Sequence, residues 1–214
     1  MTGPFDPGTE KERLEWEFEL PGQGAFNWIL SGTALLSAAD LSYERYLAAD
    51  RLERSLAHRD AAGMPRVVER PLSSSEVELL RDGNLGPVAI MLLGFGLENL
   101  SKGLLIAGSP TLVSGDRGID QQLKSHRFEE LVAACDHISH DDERRALQFI
   151  SQHVIWAGRY PIPNRAVAPG QAAQNRGRWA RHQLAPIEWL WEQGTAVRRR
   201  LGDKVRAEFP HVVI

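Results

Sequence analysis

The sequence predicts an all-α protein, because it combines one long apolar segment with several amphipathic segments of helical spacing and very little strand-like alternation. The apolar segment, residues 87–107, reads PVAIMLLGFGLENLSKGLLIA and carries no charge before Glu98. Pro87 suits a first helical turn, and Gly108 followed by Pro110 suits a helix end with a left-handed glycine after it. Because a helix that is apolar nearly all round is normally buried, we expect this segment to be the central helix.

Four residues inside the central segment need an interpretation of their own. Gly94 and Gly96 lack the third glycine and the preceding strand of a phosphate-binding fingerprint, so we expect them at close helix–helix contacts. Glu98 and Lys102 are four residues apart with the acid first, which lets them pair along the helix. Two interpretations stay open for this pair: a salt bridge at the solvent boundary, or a polar seam that faces a cleft or a partner. The uncharged run is shorter than the roughly 20 apolar residues that a membrane span needs.

The rest of the architecture follows from the hydrophobic periodicity. Helical spacing predicts further helices over residues 26–58, 75–80, 121–136, 141–158 and 186–208. Five of the predicted helices are substantial, so we expect an up-and-down five-helix bundle. Residues 13–20 alternate between apolar and charged side chains, which predicts one half-buried strand that pairs with residues 66–69 or with its own copy in a second subunit. We divide the chain into an N-terminal strand or hairpin arm (1–23), one helical domain (24–208) and a tail (209–214).

Composition limits the class of protein. The chain has 214 residues, 43% hydrophobic and 25% charged, as in an ordinary globular domain. A single cysteine, Cys135, excludes an internal disulfide and suits a reducing compartment; we expect it to be a packed small residue. The segment from Arg159 onward has ten Lys and Arg against four Asp and Glu, although the whole chain has a net charge of −3. A cytoplasmic protein with an anionic partner and no membrane contact is therefore expected, unless the run at 198–200 is only a solvated face near a helix end.

Three short segments resemble motifs of the HEPN family, the higher eukaryotes and prokaryotes nucleotide-binding domain. ENLSKGLLIAG (98–108) is similar to that family's Glu-x-x-x-Lys-x-Leu helix, and SHRFEEL (125–131) to its His-Asp-Leu helix start. GRYPIP (158–163) is similar to the Arg-Tyr-Pro that follows its fourth helix. The three occur in the family's order and cover residues 87–163, whereas the resemblance says little about the first 24 and the last 50 residues.

The resemblance implies a helical bundle that commonly dimerises and has a polar groove for a nucleotide or RNA. It implies five groove residues, Glu98, Lys102, His126, Arg159 and Tyr160. Lys102 and Arg159 would hold phosphates, Tyr160 would stack on a base, and Glu98 would orient Lys102. Structural alternatives stay open, because Arg159 could cap the end of its helix and His126 could be a satisfied residue at a helix start.

Family members include RNA-cleaving toxins, companions of nucleotidyltransferases and phage-defence components, so a nucleotidyltransferase or an antitoxin is an implied partner. The cleaving members carry an Arg, four to six residues and then a His near the last helix. Arg176 and His182 lie near that place, although Gly177 replaces the polar residue usual after the Arg. If the protein is a metal-independent endoribonuclease, His182 would be the general base and Arg176 would stabilise phosphorane charge. Two other pairs, Arg51–His58 and Arg206–His211, also have spacings within the allowed four to six residues, so the motif occurs about as often as chance allows.

Other chemistries find less support in the sequence. The run DHISHDD (136–142) clusters His and Asp, but a di-metal site in a helical bundle needs paired Glu-x-x-His motifs, and we interpret the run as a polar helix–helix turn. We expect no metal and no cofactor. The sequence therefore predicts a HEPN-like nucleotide- or RNA-binding homodimer, with the endoribonuclease and a non-catalytic interaction module in a defence or toxin–antitoxin system as the alternatives.

Overall fold

The computed structural model of the protein describes residues 24–59, 65–67, 70–114, 118–136, 138, 140–154 and 185–212. Seven α-helices follow one another in this part of the chain: α1 (Ala25–Leu56), α2 (Ser74–Arg81), α3 (Leu85–Gly108), α4 (Gln121–Lys124), α5 (Phe128–Cys135), α6 (Asp141–Gln152) and α7 (Ile187–Glu208). The all-α class predicted from the sequence is confirmed for the described residues, since their only strands have two or three residues each.

Two short antiparallel hairpins accompany the helices. In the first, β1 (Ala57–Arg59) pairs with β2 (Pro65–Val67); in the second, β3 (Val113–Ser114) pairs with β4 (Gly118–Ile119). The predicted first helix therefore ends two residues early, because the chain leaves α1 directly into β1. One edge of the segment expected to pair with the N-terminal strand is thus occupied by β1. Residues 13–20 and the whole arm 1–23 lie outside the described residues.

Close packing of α1 against α3 forms the middle of the molecule. Ile29, Leu36 and Ala39 of α1 are fully buried. A Cβ added to Gly96 of α3 would lie 2.6 Å from Leu36 Cγ, and one added to Gly32 of α1 would lie 3.0 Å from the Gly96 carbonyl oxygen. The two backbones therefore approach more closely than any side chain at these positions would permit. This confirms the expectation that the glycines of the central segment serve helix–helix contacts.

The central helix, α3, begins earlier and ends differently than the sequence predicted. It begins at Leu85, directly after the 3₁₀ turn Asp82–Asn84 that continues from α2, so Pro87 is the third helical residue. Gly108 is the last helical residue and Ser109 is the C-cap. The prediction of a left-handed glycine after the helix is wrong, because a 3₁₀ turn (Pro110–Leu112) follows at once and redirects the chain.

The same helix belongs to the one run in the described part of the chain that could cross a membrane by length and composition alone. That run spans Ser74–Gly108, and 67% of its most apolar window is buried within the protein. Leu93, Leu97 and Leu100 have no exposed surface. Burial among other helices is what a core helix requires, and it accounts for the apolar composition without a lipid environment.

The predicted helix over residues 121–136 is interrupted. Asp120 caps α4 by accepting a hydrogen bond from the Gln122 N–H, and α4 ends after one turn, at Ser125. The Ser151 hydroxyl of α6 then donates to the His126 carbonyl oxygen and accepts a hydrogen bond from the Phe128 N–H. These tertiary hydrogen bonds replace helical ones, so residues 125–127 form a loop and α5 starts at Phe128. The prediction of one continuous helix here is wrong.

Helix α7 closes the core and is fixed by ion pairs. Arg198 lies 2.6 Å from Asp40 of α1, and Arg200 lies 2.7 Å from Asp136 at the end of α5. Lys204 lies 3.2 Å from Asp136 as well. Part of the positive charge of the run at 198–200 is therefore neutralised by ion pairs that join α7 to other elements. Val212, in the predicted tail, is only 7% exposed, so the packed domain extends past α7.

Aromatic residues join the outer faces of α1 and α7. Tyr43 stacks on Trp191 with ring centroids 4.0 Å apart. The Tyr46 hydroxyl donates a hydrogen bond of 3.0 Å to Glu188. Burial, followed by the hydrogen bond to Glu188, raises the Tyr46 pKa to about 12. The fold therefore favours the neutral phenol over the phenolate.

This shift predicts a loss of stability at alkaline pH. The unfolded Tyr46 titrates at pH 10.0 and the folded one near 12, so its contribution is complete below pH 10 and is lost as the pH rises towards 12. We expect the urea midpoint of the native protein to fall more between pH 10 and pH 12 than that of a Tyr46→Phe variant. Equal pH dependence in the two proteins would show that Tyr46 is not buried against Glu188. Absorbance of the phenolate follows the same titration directly.

Candidate ligand-binding site

The candidate site is built around a carboxylate inside the central helix. Glu98 and Lys102 lie one turn apart on α3, with Lys102 Nζ 2.6 Å from Glu98 Oε1. Glu98 is 5% exposed and Lys102 is 3% exposed. A pair at the solvent boundary would be much more exposed, so the boundary interpretation is wrong and the pair lies buried within the core helix. That the seam faces a cleft or a partner stays a prediction. Charges buried to this degree are tolerated only when they are paired.

His126 brings the second motif to the same carboxylate. Its Nδ1 lies 3.0 Å and 3.1 Å from the two Glu98 oxygens, across 28 residues of sequence. The imidazole side chain is 38% exposed, so it connects the buried pair to the surface. With Nδ1 facing a carboxylate, that nitrogen carries the hydrogen, and Nε2 on the far side of the ring is free for another partner. We call Glu98, Lys102 and His126 the polar triad.

The surroundings of the polar triad fix its geometry. The Lys102 ammonium lies 5.4 Å from the centroid of the Trp28 ring on α1, within cation–π distance. Trp28 and Glu98 together enclose Lys102, so contact between its ammonium and an external phosphate would require the pair to open. The Ser151 hydroxyl holds the His126 backbone from α6. Neither Trp28 nor Ser151 could be predicted as part of the site, because nothing in the sequence next to either residue indicates the contact.

Two exposed cations flank His126 along the chain. Lys124 is the last residue of α4, and Arg127 is the N-cap of α5 with a side chain that is 68% exposed. Arg127 pairs with Glu130 in the first turn of α5. Residues 124–127, which we call the basic loop, therefore carry three nitrogen-bearing side chains within four residues, each of them at least partly exposed. The start of α5 adds the positive end of its helix dipole there, shared with Glu129 and Glu130.

Four of the predicted site residues cannot be located in this way. Arg159, Tyr160, Arg176 and His182 all lie outside the described residues. The other Arg–His spacings form no comparable group in the part of the chain that the structure describes. Arg206 pairs with Asp203 one turn away, Arg51 donates to a backbone carbonyl of its own helix, and the side chain of His58 is outside the described residues.

The described residues show no arrangement that suits metal binding or a reactive thiol. Within them no group of three or more His, Cys, Asp and Glu side chains is arranged to hold a metal ion. Asp136, from the predicted polar turn, is instead paired with Arg200 and Lys204. The Cys135 thiol donates to the Leu131 carbonyl oxygen at 3.3 Å, and burial raises its pKa, which disfavours the reactive thiolate.

The fold and the site together define a class: an all-α protein in which a buried carboxylate holds a half-exposed histidine beside two surface cations. Comparison of the chain with protein-family models, with curated proteins and with solved structures gave no match. The function therefore has to be argued from the site itself.

Proposed function

We propose that this chain is a five-helix HEPN-like protein that binds a nucleotide or RNA through the basic loop and the polar triad. One observation carries the proposal. Two of the motifs that resemble the family, 28 residues apart, contribute Glu98, Lys102 and His126 to a single hydrogen-bonded group. Unrelated polar residues placed by chance on different elements would seldom share one buried carboxylate, because unpaired charges in a core are costly.

The chemistry of the group suits an anionic ligand. Because Glu98 holds His126 at Nδ1, a protonated ring presents its Nε2–H outward as a charged donor for a phosphate oxygen. Lys124 and Arg127 add flexible cations on both sides, and the guanidinium can bind a phosphate bidentately once it releases Glu130. Lys102 contributes to the site indirectly, because its buried ammonium neutralises the Glu98 carboxylate. The ligand-facing residues described are therefore His126, Lys124 and Arg127, and we propose Arg159 and Tyr160 as further ones.

The binding proposal predicts a salt-dependent affinity for single-stranded RNA. In a fluorescence anisotropy titration, Arg127→Ala and His126→Ala should each weaken binding about tenfold, which corresponds to about 1.4 kcal/mol. Each lost phosphate contact should also reduce the slope of log affinity against log salt by about 0.7. Arg145→Ala is the matched control, because Arg145 is 67% exposed near the start of α6 and removes the same charge elsewhere. Absent or salt-independent binding by the native protein would overturn the proposal.

A second candidate function is metal-independent RNA cleavage. The observation that favours it is the carboxylate–imidazole pair, because a histidine oriented by a carboxylate is the arrangement of a general base. His126, or His182 with Arg176 as in the cleaving members of the family, would then remove the proton from a ribose 2′-OH. Incubation of RNA with the protein in EDTA tests this. Cleavage that His126→Ala and His182→Ala both leave unchanged would remove these assignments and leave binding as the function.

The cellular setting that the resemblance implies is part of the proposal. We propose a homodimer in the cytoplasm that works beside a nucleotidyltransferase or an antitoxin in a defence system. In the remaining alternative, a non-catalytic interaction module, a protein partner occupies the same groove. Co-purification of a stable complex whose formation excludes RNA would favour that module over direct RNA binding.

A further inference from the structure

The outer face of α1 carries an exposed apolar stripe. Phe26, Leu30 and Leu41 are 48%, 45% and 65% exposed. Ala34 and Ser37, which lie between them on the same face, are exposed as well. Steps of four, four, three and four residues keep all five side chains on one side of the helix. No other element among the described residues covers this stripe.

The stripe lies directly beside the point where the described chain begins. Residues 13–20 precede α1 by only four residues, Pro21-Gly22-Gln23-Gly24. A Pro-Gly pair is favoured at the centre of a type II turn, which reverses the chain direction. We propose that residues 13–20 fold back over α1 and cover the stripe, with Leu14, Trp16, Phe18 and Leu20 against the helix. The occupant of the stripe is thus the N-terminal arm of the same chain.

The lengths of the two partners agree. From Phe26 to Leu41 the helix rises about 22 Å, at about 1.5 Å per residue. In an extended chain the six steps from Leu14 to Leu20 span about 20 Å, at about 3.3 Å per residue. In an antiparallel arrangement Leu20 lies over Phe26, and Leu14 lies over Leu41.

Side-chain size supports the same register. Trp16, the largest side chain of the arm, falls opposite Ala34 and Ser37, the two small residues of the stripe. The opposite face of the arm is charged and is directed to water in this arrangement; it carries Arg13, Glu15, Glu17 and Glu19. The backbone of the arm stays at the surface, where water satisfies its hydrogen-bonding groups. A short tether also favours the arm over a second copy of the chain, because it gives the arm a millimolar effective concentration.

Disulfide trapping in the full chain tests the proposal. In a Cys135→Ser background, Phe18→Cys combined with Leu30→Cys, which face each other in this register, should form an intramolecular disulfide in oxidised glutathione at least about tenfold faster than Glu17→Cys combined with Leu30→Cys. Glu17 is on the opposite face of the arm, so it is the matched control. Equal rates in the two variants would overturn the proposal. Covalent dimers in place of the intramolecular bond would overturn it too, in favour of a second copy on the stripe.

A second measurement keeps every position on the apolar face of the arm apolar. A bimane label is attached at position 34 through Ala34→Cys in the Cys135→Ser background, because nearby tryptophan quenches bimane. We expect the fluorescence to rise when Trp16→Phe is added, whereas Trp189→Phe, on α7, should change it little. Unchanged fluorescence with Trp16→Phe would show that the arm does not cover α1.

Discussion

Replacing Glu98 with leucine is expected to lower the free energy of unfolding by about 3–5 kcal/mol. The reason is the Lys102 ammonium, whose side chain is only 4% exposed and which has its salt bridge at 2.6 Å to this carboxylate. Without Glu98, the partner that the described residues leave to this buried cation is the Trp28 ring, 5.4 Å from Lys102 Nζ to the ring centroid. His126 also loses its tether. Chemical denaturation measures the loss.

Two comparisons show whether burial causes this loss. Asp50→Ala removes the acid from the exposed i,i+4 pair with Arg54, which is 71% exposed, and should cost less than about 1 kcal/mol. The double variant Glu98→Leu with Lys102→Met should recover most of the lost stability, because two apolar side chains need no compensating charge. If Glu98→Leu costs no more than Asp50→Ala, the pair is not buried and the polar triad is not a constrained site.

The members of the polar triad are expected to contribute differently to stability and to ligand binding. Lys102→Met alone keeps the contact between His126 and Glu98 but removes the internal cation. We infer that stability and ligand affinity respond to different members of the triad: stability to the Glu98–Lys102 pair, and affinity to the half-exposed His126. The proposed anionic ligand therefore meets a histidine whose orientation is set by residues that the ligand itself does not touch.

Local sequence predicted most of the helices, because their ends and apolar faces are encoded nearby. The last helix was expected over 186–208 and spans Ile187–Glu208. The pairing of Glu98 with Lys102 was also predictable, since both lie on one helix face. The burial of the pair was not predictable, because Lys102 packs against Trp28, 74 residues earlier in the chain. Contacts of this range leave no local signal.

The wrong predictions also result from contacts between residues that are far apart in the sequence. Residues 121–136 have helical periodicity throughout, yet hydrogen bonds from Ser151 replace the helix at 125–127. That interruption turns His126 towards Glu98, so the geometry of the candidate site arises where tertiary contacts override local propensity. Likewise, Gly108 had the sequence context of a left-handed residue after a helix. Instead it is the last residue of α3, and the 3₁₀ turn that follows redirects the chain.

Replacing Gly94 with valine is expected to destabilise the protein by about 3 kcal/mol. A Cβ at this position of α3 would lie 2.7 Å from both Phe128 Cε2 and Val154 Cγ2, and 2.8 Å from Ile150 Cγ2. These three neighbours come from α5 and from α6 with the turn after it. No single side chain can therefore move to make room, and α3 would have to shift away from the elements that position the 125–127 loop.

Two other glycines provide a graded control for this packing argument. Gly194→Ala should cost less, because its nearest obstacle is the flexible end of Leu93, 2.6 Å from the added Cβ. Gly108→Ala should be neutral or stabilising by up to about 1 kcal/mol, because a Cβ there meets nothing within 4 Å and alanine is the better helix former. Chemical denaturation of the three variants, each checked for native helical content by circular dichroism, gives the order. If Gly94→Val unfolds no more readily than Gly108→Ala, α3 does not pack closely against α5 and α6, and the contact between Glu98 and His126 loses its support.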